Sequence, residues 1–567
     1  MSRRTSGSVA DRVLSFRRLG GFVGATVMIA AAAGAPLAVF ASPAAAASSK
    51  VKYPLVTANS DVTHDNPSIT RLDSLPAITV DPTNPNRLFV AEGDFHAATC
   101  EVHVSNDGGV TWKLAPGQLL PKSPGFDRCT PDSAGLSYPM AWAANDTLLT
   151  GLMALPFAAS VPFTDSAPTS LVLSRSTDFG ASFQSTVVRD NRPPQPKTMN
   201  NEGAWQPHIA VDPANKNVVY VAWQRRNVPI PNFVDPSNPP NPDYESRPAV
   251  AVSTDGGKTF GPPIDLLYGQ GDLSNIPSLG HEALPTRRGP TISVAPDGTF
   301  FAIDTQAGRP EDGPTAPASQ TLYTVLSVSS DQGKTFQHYN VQTNTDGTDY
   351  PELAVAANPN GKGYTLVLVY EDYSDGVAGQ QQVHDVFVRT STDGGKTWTP
   401  RHRLTDDPLT DYANKFDPNV SVAPDGRIDV AWYDFRNDDG PLLVDVYATY
   451  STDGGKTWAP NIRVTDRAAD RRPGFFVDGG AVRGPVGITS DNDAAHFAWE
   501  DTRNATDALP VQDIYAGSIQ FRALPAPSNN NTLVKVGAVG GGLVATALVL
   551  LVATVVAGHR PLGAPPG

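Results

Sequence analysis

The sequence predicts an all-β protein built from repeated four-stranded antiparallel sheets, and three observations carry that reading. Six variants of the octet Ser-x-Asp-x-Gly-x-Thr-Trp run through the chain, at Ser105 to Trp112, Ser176 to Phe183, Ser253 to Phe260, Ser329 to Phe336, Ser391 to Trp398 and Ser451 to Trp458. Seven prolines, Pro76, Pro139, Pro207, Pro290, Pro351, Pro418 and Pro485, each stand before a short run with apolar residues at its second and fourth positions, as in Ile209 and Val211 or Val420 and Val422. The motif Asp445-Val446-Tyr447-Ala448 recurs as Asp513-Ile514-Tyr515-Ala516.

Each element follows in order from these repeats. The run behind the proline has the period of two expected of a strand, here strand A, and an Asn/Asp/Pro/Gly turn leads to a second apolar run, strand B. Strand C follows, as in Asp445 to Tyr450, and ends in the octet. The octet is hairpin chemistry: Ser and Asp accept backbone N–H bonds, Gly permits positive φ, and the closing aromatic returns the chain to a packed sheet as strand D. The seventh unit has strands A to C but no octet after them. Residues Val51 to Asn59, upstream of the first unit, supply the missing strand and close a ring, which removes the exposed edge an open array would carry. Seven sheets are therefore expected, with six sheets and a decorated segment as the alternative.

The repeats claim one folded body over residues 51–522, overriding the several domains that a length of 567 would suggest. A net charge of −14 argues against a nucleic-acid partner. Arg3, Arg4, Arg12, Arg17 and Arg18 precede an uncharged stretch from Leu19 to Phe40, and Ala45-Ala46-Ala47 forms a small-residue cleavage site, so residues 1–47 read as an export signal, or as a retained anchor. Residues 523–535 read as a Pro/Asn-rich stalk. Residues 536–558 carry no charge over 23 positions, enough for one membrane-spanning helix, and 559–567 form a short inner tail. The expected location is the cell membrane, single-pass, with the folded body outside. In that compartment Cys100, just before strand C of the first unit, and Cys129, in the following D to A connection, are expected to pair; both fall on the face where the prolines stand.

The octet resembles the Asp box, or BNR repeat, of the sialidase (neuraminidase) superfamily. The resemblance implies a β-propeller, here of seven four-stranded blades, and a sugar site on one face of the ring. Those enzymes hold the sialic-acid carboxylate with three arginines, use a glutamate-activated tyrosine as nucleophile and an aspartate as acid/base, departing from the two-carboxylate scheme of most glycosidases. Their first strand opens with Arg-Ile-Pro; the matching place here is Ser74-Leu75-Pro76.

On the proline face the singular residues are the informative ones. Two positions before each proline the units carry Ser74, Ser137, Trp205, Arg288, Asp349, Phe416 and Arg483; Arg288 and Arg483 stand in Arg-Gly-Pro, and a guanidinium there suits bidentate capture of a carboxylate. A third arginine could come from Arg225, Arg226 or Arg503. One position after the proline, His208 and Glu352 are the ionisable residues, and Tyr350 with Glu352 is the nucleophile pair that the resemblance suggests. Asp94 and Asp434 are equivalent candidates for the acid. The motif that includes Asp434, Trp432-Tyr433-Asp434-Phe435-Arg436-Asn437, recurs as Trp499-Glu500-Asp501-Thr502-Arg503-Asn504. That recurrence also reads as a structural Asp–Arg tie, with Tyr370-Glu371-Asp372, Asp304 and Asp94 in similar places. Long proline-rich connections, Arg226 to Pro248 and Gly261 to Gly289, are expected to overhang the third and fourth blades.

No cofactor is implied. Asp491-Asn492-Asp493 and Asn437-Asp438-Asp439 offer oxygen ligands for Ca²⁺ or are solvated turns. Two functions compete: an exo-acting glycoside hydrolase of the sialidase class, with terminal acidic sugars of glycoconjugates as substrate, and a non-catalytic propeller that binds a glycan or protein through its top loops.

Overall fold

A computed structural model describes residues 52–64, 72–94, 97–124, 126–129, 138–155, 169–192, 203–234, 242–267, 289–307, 322–344, 351–358, 362–373, 383–409, 413–438, 440, 442–472, 484–506 and 511–523. The export signal, the 536–558 segment, the stalk beyond Ala523, and Arg288, Tyr350 and Arg483 lie outside the described residues.

The described residues form a seven-bladed β-propeller. Its first six blades run, strand A to strand D, Asp73–Asp81, Asn84–Asp94, Thr99–Ser105 and Lys113–Leu114; Met140–Ala143, Thr147–Leu155, Ser170–Ser176 and Gln184–Arg189; Gly203–Val211, Val219–Val234, Pro242–Ser253 and Ile264–Asp265; Thr291–Val294, Phe300–Ala307, Leu322–Ser329 and Gln337–Asn344; Glu352–Ala357, Tyr364–Tyr373, His384–Ser391 and His402–Arg403; Lys415–Val422, Ile428–Asp434, Leu443–Ser451 and Ile462–Arg463. Strand A of each blade touches strand A of the next, and the seventh touches the first, so the ring is closed.

Closure uses the N-terminal residues. The seventh blade has Gly487–Ser490, Ala494–Asp501 and Asp513–Gln520, and its outer place is taken by Leu55–Val56 and Ser60–Asp61, with Leu55 opposite Gln520 and Ser60 opposite Ala516. Ser60 also ties this strand to the first blade, because Trp112 Nε1 donates to its hydroxyl at 3.0 Å.

Strand B is apolar on both faces because a blade covers each. Leu88 and Val90 pack with Ala498, Ile514 and Ala516 of the seventh blade, while Phe89 and Ala91 pack with Leu148, Leu152 and Val172 of the second. Leu366 through Tyr370 are all fully buried for the same reason, and burying side chains of this size stabilises by about 1.5–3 kcal/mol each.

The octets cap strands C. In the fifth blade Asp393 accepts from Ser391 Oγ (2.8 Å), Thr397 N (3.0 Å) and Thr397 Oγ1 (2.6 Å), while Gly395 N donates to Ser391 Oγ (3.0 Å). Asp107, Asp178, Asp255, Asp331 and Asp453 accept the matching Thr or Ser hydroxyl. Gly395 has φ +88°, and a Cβ there would lie 2.1 Å from Leu326 of the preceding blade, so this glycine is fixed both by conformation and by inter-blade contact.

Three features differ from expectation. In blades one, three and six strand A begins before its proline, across a bulge that places Leu75, Gln206 and Asp417 at positive φ. The connection expected over Arg226 to Pro248 is largely a hairpin extension, with Val228 opposite Glu245 and Val234 opposite Pro242 across register shifts that accommodate the prolines. In the seventh blade Gly487, not Val486, takes the place next to strand B that Asn419 takes in the sixth, so this unit is one residue longer behind its proline.

Candidate functional site

Strands A and B bring the nominated residues to two levels of the proline face. The first level is the residue after the proline. There His208 pairs across the ladder with Ala222 and Glu352 with Val369, in equivalent places of the third and fifth blades. Between and beyond them stand Thr291, whose hydroxyl donates to Pro351 O (2.9 Å), and Asn419, whose amide donates to Val486 O (2.9 Å). His208, Thr291, Glu352 and Asn419 thus form a polar arc over four successive blades, with Glu352 buried.

The second level is the end of strand B. Counting from the residue paired behind each proline, Asp94, Met153, Arg225, Asp372, Asp434 and Asp501 are equivalent. Asp304 is two positions earlier, in the place of Trp432, and so does not belong to this series.

Asp434 is committed to its neighbours. It accepts from Trp432 Nε1 (2.8 Å), Arg436 N (2.8 Å) and Arg436 Nε (2.9 Å), and Arg436 reaches on to Asp406 (2.7 Å) in the connection from the fifth blade. Burial works to lower the Arg436 pKa, but the hydrogen bond and charge of Asp434 outweigh it and the net shift is upward. The seventh blade repeats the arrangement: Asp501 accepts from Trp499 Nε1 (3.1 Å) and Arg503 N (2.8 Å), and Arg503 bridges Asp501 to Asp466. Asn437 and Asn504 extend each tie to Asp445 and Asp513. This motif therefore does the structural work that its recurrence suggests.

Arg225 pairs with Asp265 on strand D of its own blade, and Arg247 joins them at 3.4 Å. Arg226 stacks 4.6 Å over the Trp205 ring and donates to Gln224 (2.8 Å). Asp94 is fully buried and accepts from Ala97 N (3.1 Å). Ser74, in the place where the resemblance puts an arginine, is buried and accepts from Gln512 Nε2 (2.7 Å). The Cys100–Cys129 disulfide is formed and joins the first two blades on this face. Asp491 accepts the Asp493 and Ala494 amides, and Asp438 those of Leu442 and Leu443, so both acidic clusters cap turns.

A set of latches escaped the sequence reading. The amide of the residue before the proline accepts no place in the ladder, and a side chain of the preceding blade takes it: Glu500 for Leu75 (2.8 Å), Glu371 for Asp417 (3.1 Å), Asp417 for Gly484 (3.2 Å), and Gln206 for Gly289. Nothing in the spacing marks these partners: two of the latched amides are those of Gly289 and Gly484, and at Leu75 and Asp417 the positive φ falls on non-glycine residues. Buried Lys415, held by Asp407 and the Ala413 carbonyl, was likewise not nominated.

The BNR/Asp-box repeat model matches residues 389–400 and 449–460, the turns of the fifth and sixth blades. Over 321 residues the chain is 26% identical to the sialidase of Micromonospora viridifaciens, covering 49% of this chain and 46% of that protein, so the match spans about half the length of the curated relative. Similar solved structures include a protein of unknown function from Dyadobacter fermentans (16% identity, 68% of this chain and 94% of that one, TM-score 0.43) and the Hadza microbial sialidase Hz136 (16%, 76% and 76%, 0.43). Trypanosoma rangeli sialidase is similar at 13% identity, covering 72% of this chain and 56% of that one, with a TM-score of 0.40. The chain is a seven-bladed β-propeller that carries BNR/Asp-box repeats and is similar in sequence to a sialidase.

Proposed function

We propose that this protein is an exported propeller that hydrolyses terminal acidic sugars of glycoconjugates, in the manner of an exo-sialidase, and is held at the cell surface by residues 536–558. The sequence relation to a sialidase, carried on a closed ring of Asp-box blades, supports the reading most directly. In it Arg288 and Arg483 grip the sugar carboxylate, Tyr350 attacks with Glu352 as its base, and Asp94 protonates the leaving group. Gly289 and Gly484, which follow the two arginines in sequence, are both anchored by latches from the preceding blade. The test is turnover of a fluorogenic sialoside by the purified chain: Arg288→Ala should reduce kcat/KM by at least a hundredfold, and a clean preparation with no turnover on any acidic glycoside refutes hydrolysis. Surface labelling of intact cells, lost on deletion of 536–558, tests the location.

One observation favours a second reading, a glycan-binding propeller without turnover: Ser74 occupies the first-blade arginine position and is bonded inward to Gln512. That reading expects saturable glycan binding without product, weakened when the third-blade hairpin is shortened by deleting residues 230–243. Unchanged binding by the shortened protein refutes it.

A further inference from the structure

One blade seam differs in chemistry from the others. Glu92 of the first blade pairs with Glu101 across strands B and C, in the place where the fifth, sixth and seventh blades pair Tyr370 with Phe387, Trp432 with Tyr447 and Trp499 with Tyr515. The third blade has Trp223 there, fully buried. By strand alternation Glu92 shares the face of Leu88 and Val90, which packs against the seventh blade. His103 stands opposite Val90 and lies on the same face. Two carboxylates and an imidazole thus replace aromatic filler on this face of the first blade.

We propose that Glu92, Glu101 and His103 bind one divalent transition-metal ion of the zinc type. His103 Nε2 lies 3.5 Å from Glu92 Oε1 and 3.7 Å from Glu101 Oε2, and the ligand atoms of all three residues fall within 4.8 Å of one another. Both imidazole distances are longer than the roughly 2.7–2.9 Å of a charge-assisted hydrogen bond. They are close to the edge of about 3.4 Å that a tetrahedral site with bonds of 2.0–2.2 Å requires. Charge agrees: a dication matches two carboxylates and an imidazole as ligands. The imidazole favours a zinc-like ion over Ca²⁺ or Mg²⁺, which prefer all-oxygen shells. Glu92 and His103 are buried, while the Glu101 side chain is 20% exposed, leaving an entry path and a fourth position for water on its side. An ion here fastens strands B and C of the first blade beside the seam where the ring closes.

The test uses the full chain, stripped with a chelator and titrated with Zn²⁺ by calorimetry, with bound metal counted by mass spectrometry. About one equivalent is expected, together with a higher melting temperature and a Co²⁺ visible spectrum typical of a low-coordinate site. Glu92→Gln, His103→Gln and, at the partly buried third ligand, Glu101→Gln should each weaken Zn²⁺ at least tenfold. Glu101→Gln keeps the comparison valid if either buried substitution prevents folding. Uptake of well under one equivalent by the wild type, or undiminished affinity in the folded variants, overturns the proposal.

Discussion

Replacing Asp434 separates a proton donor from a structural tie. Asp434→Ala removes the acceptor for the fully buried Trp432 indole and for the Arg436 amide, and takes the buried carboxylate partner from an Arg436 side chain that is 11% exposed and retains Asp406. Each orphaned buried donor costs about 1–3 kcal/mol, and breaking a buried ion pair costs about 3–5 kcal/mol. The contacts are shared, so the contributions overlap, and about 4–6 kcal/mol is expected. With an unfolding entropy of about 2.1 cal/mol/K per residue over roughly 470 residues, 1 kcal/mol corresponds to about 1 °C, so Tm should fall by about 4–6 °C. Asp434→Asn keeps the shape but turns one acceptor into a donor, and it should lose nearly as much. Differential scanning calorimetry reads both variants. A melting temperature within 1 °C of wild type for Asp434→Ala refutes the structural assignment; an accompanying total loss of sialoside turnover would return Asp434 to the acid role.

The octets predict how the ring responds to acid. Hydrogen bonds from Thr335, Thr397 and Thr457 are the largest influences on Asp331, Asp393 and Asp453 and lower each pKa to about 2; for Asp255, partial burial opposes the shift but is outweighed by bonds from Thr259 and Ser253, again giving about 2. Folded values below the usual 3.8 mean that this contribution is present above about pH 4 and is lost as pH falls toward 2, so the melting temperature should drop steeply across that window, and Asp393→Asn and Asp453→Asn together should flatten the slope. Gly395→Ala meets both a positive φ and Leu326, and should destabilise by about 2–5 kcal/mol, read as a lower Tm, whereas Gly440→Ala, with nothing within 4 Å of the added Cβ, should leave Tm unchanged. Cys100 and Cys129 are separated by 29 residues, so replacing both with Ser should cost about 3.6 kcal/mol, measured against the oxidised wild type; no change would show that the bridge adds nothing to the first two blades.

The blade count was legible because a proline marks each strand A and because the seventh unit, lacking an octet, demanded an outer strand from elsewhere. Leu55–Asp61 supplies it. The disulfide was legible because both cysteines fall on the proline face. The site was less so. Periodicity places His208 and Glu352 on equivalent positions, but it cannot show that Leu75, Gln206 and Asp417 adopt positive φ, since no glycine announces it. Without that bulge the partners Glu500, Glu371 and Gln206 look like ordinary strand-end polar residues. The prolines of the third unit suggested an irregular connection, yet edge positions and register shifts let Pro229 and Pro242 sit within the ladder. Asp304 lies near the end of strand B as Asp434 does, and the pairing of Ile303 with Thr291 places it two positions earlier.

Because Leu55 must find Gln520, the last contact of the ring joins points 465 positions apart in the chain. At about 5–20 residues per second, synthesis leaves the opening strand waiting roughly 25–90 s for its mate. During that interval Asp513–Gln520 does not yet exist, and Leu55–Asp61 is an unpaired ribbon open to strands of other chains. The molecule therefore completes itself only when its two ends meet, and slow loop closure over so long a span makes that meeting the natural checkpoint of its biogenesis.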